Sequence, residues 1–161
     1  MFQANAQAFQ VQRAEFNPGN GAFPVSDSIR ISFDFGGENS ASVEFPDEQV
    51  TVSLQLTPVG PGFYSIGSVP VMIAAAAFGD VIEAHPSTEG SLRFVRVVEP
   101  GGWRTYDFLL PAELIESPRI AAVQNRVLSL GGHWERIFGG MLFLCLPPAT
   151  DYDPTEDMMV S

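Results

Sequence analysis

The sequence predicts an α+β fold: a curled antiparallel, small-barrel-like β layer joined to a ferredoxin-like β-α-β-β layer. Three observations predict it. Residues 29–98 hold short runs of alternating apolar and polar residues, with Gly/Pro turns between them at close spacing, a pattern that suits a small barrel or a strongly curled sheet. Residues 118–130 place apolar side chains at helical spacing behind a Ser-Pro start. One alternating run precedes that segment and two follow it, joined at Gly139-Gly140, which gives the order β–α–β–β.

The chain divides into an N-terminal arm (1–28), a barrel-like half (29–99) and a ferredoxin-like half with a short C-terminal helix (100–161), expected to form one compact unit. Its 161 residues are 45% apolar and 17% charged, enough to bury a core without metals or disulfides. The single Cys145 allows no intramolecular disulfide.

The arm is polar and punctuated by Pro18, Gly19 and Gly21, and reads as a mobile arm or a loosely attached first strand. Its Phe2, Phe9, Phe16 and Phe23 lie seven apart. Pro18 and Gly19 interrupt any continuous helix through them. The spacing therefore reads either as coincidence or as an arm that docks on a groove of its own body or of a second subunit.

Residues 29–35 alternate Ile29, Ile31, Phe33 and Phe35 with polar residues, the period-2 mark of a strand with one buried face. A turn at 36–39 would let residues 41–45 pair back on it. Residues 50–56 alternate again, and Pro58 to Gly62 read as a rigid turn before a returning strand at 63–66. The apolar run 71–78, with its four alanines, reads as a short buried connection with one helical turn. Gly79-Asp80 breaks it. Strands follow at 81–84 and 91–98, and the alternation slips near Val97, which suits a bulge.

In the second half, residues 103–109 form a strand with Trp103, Thr105, Asp107 and Leu109 on one face. Residues 111–116 suit a helical turn. Ser117 is an N-cap and Pro118 the first helical residue. Ile120, Val123, Val127 and Leu130 share the helix's apolar face, and Gly131-Gly132 end it. Strands 133–138 and 141–146 form a hairpin. Asp153, Pro154 and Glu156 repeat the capping pattern for a last helix, with Met158, Met159 and Val160 as its docking face.

Several of these features recur together. Gly62, Tyr64, Val69-Pro70, Gly79-Asp80-Val81, Arg96-Val97-Val98-Glu99, Leu130-Gly131, Glu135 and Leu146-Pro147-Pro148 resemble the pattern of a family of short bacterial proteins catalogued only as a domain of unknown function. The resemblance spans about 50–153. The first 48 residues lie outside it, and Trp103 stands where that pattern has a polar residue after the glycine. The resemblance implies a fold but no activity and no catalytic residues.

Nineteen acids face eight bases, all of them arginine, for a net charge of −11. The excess sits at the ends: seven acids against two arginines in 1–48, and four acids with no base in 151–161. Such a chain repels nucleic-acid phosphates and anionic lipid, so neither is an expected partner. No apolar run is long enough for a membrane helix, and the first residues show no basic-then-apolar leader pattern. With the single Cys145, these features lead us to expect a cytoplasmic protein. The charge serves solubility and would also suit a basic protein partner.

Four residues are weak candidates for chemistry: His133, Glu135, Asp80 and His85. His133 and Glu135 share one strand face and could act as an acid/base pair; the plainer reading is a solvated strand face. Asp80 reads first as a turn residue bonded to nearby backbone. With His85 it would need a cleft to act. Cys145 lies mid-strand among apolar residues and reads as a buried small hydrophobe. No metal-ligand spacing, phosphate loop, dinucleotide fingerprint or nucleophile elbow occurs, so no cofactor or metal is expected.

The sequence therefore favours a non-catalytic acidic binding protein, possibly immunity-like, that binds a basic protein partner; self-association through the arm is the other partner reading. The alternative is a small-ligand-binding protein or enzyme with its pocket between the two layers.

Overall fold

The structure, a computed structural model, describes residues 10–11, 29–32 and 39–159. The fold is α+β, with a small barrel-like sheet and a second, three-stranded sheet. The strands of the first sheet are β1 (Gln10–Val11), β2 (Ile29–Ser32), β3 (Ser40–Phe45), β4 (Val50–Gly60), β5 (Phe63–Ile66), β6 (Val81–Pro86) and β7 (Leu92–Glu99). Their order is β1-β2-β4-β3-β7-β6-β5, and β4 also pairs with β5, so five strands close on themselves. Closure removes the open edges that a short sheet would expose.

The long β4 makes closure possible. One of its edges pairs with β3 from Val50 to Gln55; the other pairs with β2 at Val50 and Thr51, then with β5 from Leu56 to Gly60. The inward positions, among them Val43, Phe45, Val52, Leu54, Ile66 and Ile82, fill the barrel. Phe45 stacks on Phe94 with ring centroids 4.8 Å apart. Two residues of β7, Val95 and Val98, are skipped in its pairing with β6. These bulges curl the hairpin and account for the slipped alternation near Val97.

Three expectations in this half are corrected. Residues 41–45 do not pair back on 29–32: β3 pairs with β4 and β7, and β2 pairs with β1 and, in parallel, with β4. Strand alternation fixes which face is buried but not which neighbour is taken. The turn expected at 58–62 is confined to Pro61 and Gly62, because β4 runs on through Pro58 to Gly60 over an irregular register. The run 71–78 contains no helical turn and is not uniformly buried. Met72 is exposed at φ 63°, and Ala74, Ala75 and Ala77 are exposed. Most of the arm, the four phenylalanines at 2, 9, 16 and 23, residues 33–38 and Val160 lie outside the described residues.

The second sheet comprises β8 (Arg104–Leu109), β9 (His133–Ile137) and β10 (Met141–Leu146) in the order β8-β10-β9. Both flanking strands run antiparallel to β10, so β8 and β9 are parallel to each other. The connection between them carries α1 (Ala112–Ile115) and α2 (Pro118–Ser129). This is the split β-α-β arrangement of a ferredoxin-like half. Ile120, Val123 and Val127 of α2 pack on Leu142, Leu144 and Leu146 of β10. Leu130 is the C-cap and partly exposed.

The ends of α2 follow capping chemistry. The Ser117 side chain accepts from Ile120 N at 3.4 Å. At the other end, Gly131 at φ 77° donates to Leu128 O and Gly132 to Val127 O, the paired bonds of a left-handed helix stop. Replacing Ser117 with alanine is expected to cost about 1 kcal/mol, seen in urea titration as a lower midpoint with an unchanged slope.

The C-terminal helix α3 (Pro154–Met159) docks through buried Pro154 and half-buried Met158, beside half-buried Tyr152 just before it; Met159 is exposed, contrary to expectation. Arg104 donates to Thr150 O and Tyr152 O, Arg119 to Asp157 O, and Arg126 lies 4.1 Å over the Tyr152 ring. Burial, reinforced by the hydrogen bond to Asp157, pushes the Tyr152 phenol up to about 12. No helix of the described residues is long and apolar enough to cross a membrane.

Candidate functional site

Residues 67–79 leave the barrel between β5 and β6 and reach the second layer. The neck of this excursion is closed by backbone bonds from Ile66 N to Asp80 O and from Gly79 N to Ile66 O. Its Val69, Val71 and Phe78 form a core cluster with Ile137, Phe143 and Cys145, flanked by Trp103 and Met141. Thus one face of the second sheet packs on α2 and the other on this loop. The seam between the two layers is this cluster.

A loop of this length has main-chain donors that no ladder satisfies. Carboxylates supply the acceptors. Glu48, from the barrel, accepts Ala74 N and Ala75 N, both at 2.9 Å. Glu135, from β9, accepts Val69 N at 2.9 Å. Asp80 accepts Ala77 N at 2.9 Å and Gly101 N at 2.8 Å. The alanine run is therefore held open by remote acids and does not coil on itself.

The four sequence candidates separate. His133 and Glu135 meet: His133 Nε2 lies 2.7 Å from Glu135 Oε1, the same oxygen that takes Val69 N. The His133 ring is stacked on Phe78 at 4.8 Å and 12°, and Phe78 sets its edge against Trp103. Glu135 Oε2 is buried with no hydrogen-bond partner among the described residues. Asp80 is buried at the neck of the loop and spends both carboxylate oxygens on backbone. His85 is exposed on the outside of the barrel, 3.1 Å from Glu83. Arg96 also bonds Glu83 at 2.8 Å and, with His85, holds that carboxyl below its ordinary range. The pair on β9 is thus no freely solvated face: Glu135 is nearly buried and its neighbour lies flat on an aromatic ring.

Cys145 is the cross-strand partner of His133 and lies on the same face as Glu135. The three types could make a nucleophile and base. Cys145 is fully buried, however, and burial pushes its thiol up to about 12, with the Glu135 charge adding to the rise and the Thr105 hydroxyl opposing it. A thiol in that state holds almost no thiolate at neutral pH. In the folded protein at pH 8, Cys145 should resist a thiol-specific disulfide reagent for hours and react fully once urea unfolds the chain. Labelling within minutes under native conditions would contradict its placement.

Sequence reasoning missed Glu48 and the glycine contacts of the seam. Gly79 has φ 83°, and a Cβ there would lie 2.4 Å from the Trp103 ring. A Cβ on Gly101 would lie 2.3 Å from Gly79 O. The close crossing also places Trp103, the departure noted in the sequence pattern, against Phe78. A signal existed only in the glycines themselves. No group of three or more His, Cys, Asp or Glu among the described residues is placed to hold a metal.

Among the described residues, hollows of about 590 and 390 Å³ open on the outer barrel. His85 lines the smaller; neither includes His133, Glu135 or Asp80.

Residues 52–161 match the model of a family described as a domain of unknown function, DUF4265. No curated protein matches the chain. Among solved structures, a similar one is titled "Novel crystal structure of a hypothetical protein from Neisseria gonorrhoeae". It has a TM-score of 0.51 and 14% identity over 74% of this chain and 82% of that chain. At that identity the likeness is one of fold.

Proposed function

We propose that this chain, which belongs to the DUF4265 family, is a non-catalytic binding protein of the bacterial cytoplasm that engages a basic protein partner through its acidic surface. Neutralisation of a toxin, as immunity proteins do, is the concrete version. One observation carries the reading: the carboxylates best placed for chemistry, Asp80 and Glu135, are spent on backbone N–H groups of the loop and of the linker to the second layer. Other acids, such as Asp47, Glu113, Asp151 and Glu156, are exposed. A surface of one sign steers an oppositely charged partner and raises its association rate.

The test is affinity capture from native lysate at low salt. A basic protein should be retained and then released as salt rises and screens the contact. If no basic protein is retained and light scattering gives an inert monomer, the reading fails. Comparing the mass of the full chain with one lacking residues 1–28 separates this from self-association through the arm: a dimer lost on truncation favours the arm.

A second reading, a small-ligand protein or enzyme at the seam, rests on the 2.7 Å contact between His133 and Glu135. It needs a channel to that pair. A ligand that protects His133 from carbethoxylation would favour it.

A further inference from the structure

Independently of any partner, we propose that residues 70–76 form a strap that opens from the barrel as a unit while both layers stay folded, and that Glu48 is its latch. The strap touches both cores. Ala76 is buried in the barrel's core cluster and Ile73 packs against it, while Val71 belongs to the cluster at the seam. Ala75 and Glu48 also line the smaller hollow, beside Phe45 and Phe94. Lifting the strap would open that hollow toward the apolar core of the barrel.

The fastenings are graded along the loop. Its roots are tied by backbone bonds, from Gly67 N to Gln55 O and from Gly79 N to Ile66 O. Buried Asp80 and nearly buried Glu135 hold the same roots through Ala77 N and Val69 N. Between the roots, among the described residues, no backbone–backbone bond ties 70–76 to the rest of the fold. Ala74 N and Ala75 N go instead to the two oxygens of Glu48, in bonds that lie at the surface. Water competes for bonds so placed, and a segment held by exposed bonds opens before the elements around it.

Two features favour the open strap. Met72 is exposed at φ 63°, a left-handed conformation that a side chain resists and that persists only while its surroundings impose it. The alanines at 74–77 favour a helical turn, and two of their N–H groups are taken by Glu48. Opening is opposed by those two bonds and by the burial of Ile73 and Ala76, so the closed strap is the resting state. The latch itself stays with the barrel: Glu48 ends the short 3-10 turn Pro46–Glu48 between β3 and β4. Loss of the Glu48 side chain therefore raises the open population and leaves the roots in place.

The experiment uses the full chain with Ala76→Cys, with and without Glu48→Ala, and a thiol-specific disulfide reagent at pH 8 without denaturant. Peptide mass mapping separates the two labelled positions. Cys145, sealed at the seam, reports unfolding of the second layer in the same molecule. Glu48→Ala should raise the labelling rate of the introduced thiol at least about 10-fold and leave Cys145 unlabelled. Glu48→Gln keeps one acceptor oxygen and should fall between. Ile73→Cys, at the strap's other contact with the barrel core, should respond in the same direction, and it carries the test if Ala76→Cys does not fold. The Val69 amide should keep its exchange protection in Glu48→Ala, because its acceptor is untouched. Acceleration of Cys145 in step with the introduced thiol would reduce Glu48 to a contributor to global stability and overturn the strap. An unchanged rate at positions 73 and 76 overturns it as well. Circular dichroism confirms that each variant is folded.

Discussion

Replacing Asp80 with alanine is expected to lower the unfolding free energy by about 3 kcal/mol, with Asp80→Asn costing roughly half as much. The carboxylate is buried and accepts two backbone donors, Ala77 N inside the loop and Gly101 N in the linker to the second layer. Each such bond to a charged acceptor contributes about 1.5–3 kcal/mol, and removing the acceptor strands the donor. Asparagine keeps one carbonyl oxygen and so can satisfy only one of the two. For a chain of this size the alanine change corresponds to a melting point lower by about 6–12 °C. A shift within about 0.5 kcal/mol would mean that the neck of the loop is held by something else.

The second large effect is at Gly101. A Cβ there would approach Gly79 O to 2.3 Å, Gly79 C to 2.5 Å and Asp80 N to 3.1 Å. These are backbone atoms and cannot swing aside as a side chain would. Gly101→Ala must therefore push the linker off the loop, stretching the bond from Gly101 N to Asp80 as it does so. Forced overpacking of this kind costs about 1–3 kcal/mol and sometimes more, and we expect about 3 kcal/mol by urea titration. Because the two sites share that bond, Asp80→Ala and Gly101→Ala together should cost less than the sum of the two. Full additivity would show that the loop and the linker are energetically independent.

Much of the architecture was legible before any coordinates. Helix α2 was marked at both ends by local chemistry, Ser117-Pro118 and Gly131-Gly132, and its face by the spacing of Ile120, Val123 and Val127. Strand periodicity and turn residues located most strands, and the slip at Val97 was a true bulge signal. What failed was non-local. Nothing near 71–78 reveals that Glu48 and Glu135, 26 and 66 residues away from the N–H groups they accept, would satisfy the loop's donors. Local propensity therefore favoured a helical turn that the loop does not make. The parallel pairing of β2 with β4 is equally invisible to a pattern that specifies a face and not a neighbour.

The four candidate residues are picked out in the sequence by residue type and spacing alone, and the structure brings two of them together. Carboxylate beside histidine is a signature of acid/base work, and His133 and Glu135 do touch. Burial separates the possibilities. A carboxylate that accepts a main-chain donor from the opposite layer, beside a ring stacked on Phe78, acts as a fastener. The same residue types on a solvated face would have left the pattern of the sequence unchanged.

The central claim is that Glu135 and Asp80 each pin a specific stretch of backbone across the seam. Amide hydrogen exchange in the native state tests it most directly. In Glu135→Ala, the Val69 amide should lose at least about tenfold in protection relative to the amides of α2; in Asp80→Ala, the amides of Ala77 and Gly101 should do so. If the protection of Val69 in Glu135→Ala falls only in step with α2, or not at all, Glu135 does not hold the seam and its role has to be sought elsewhere.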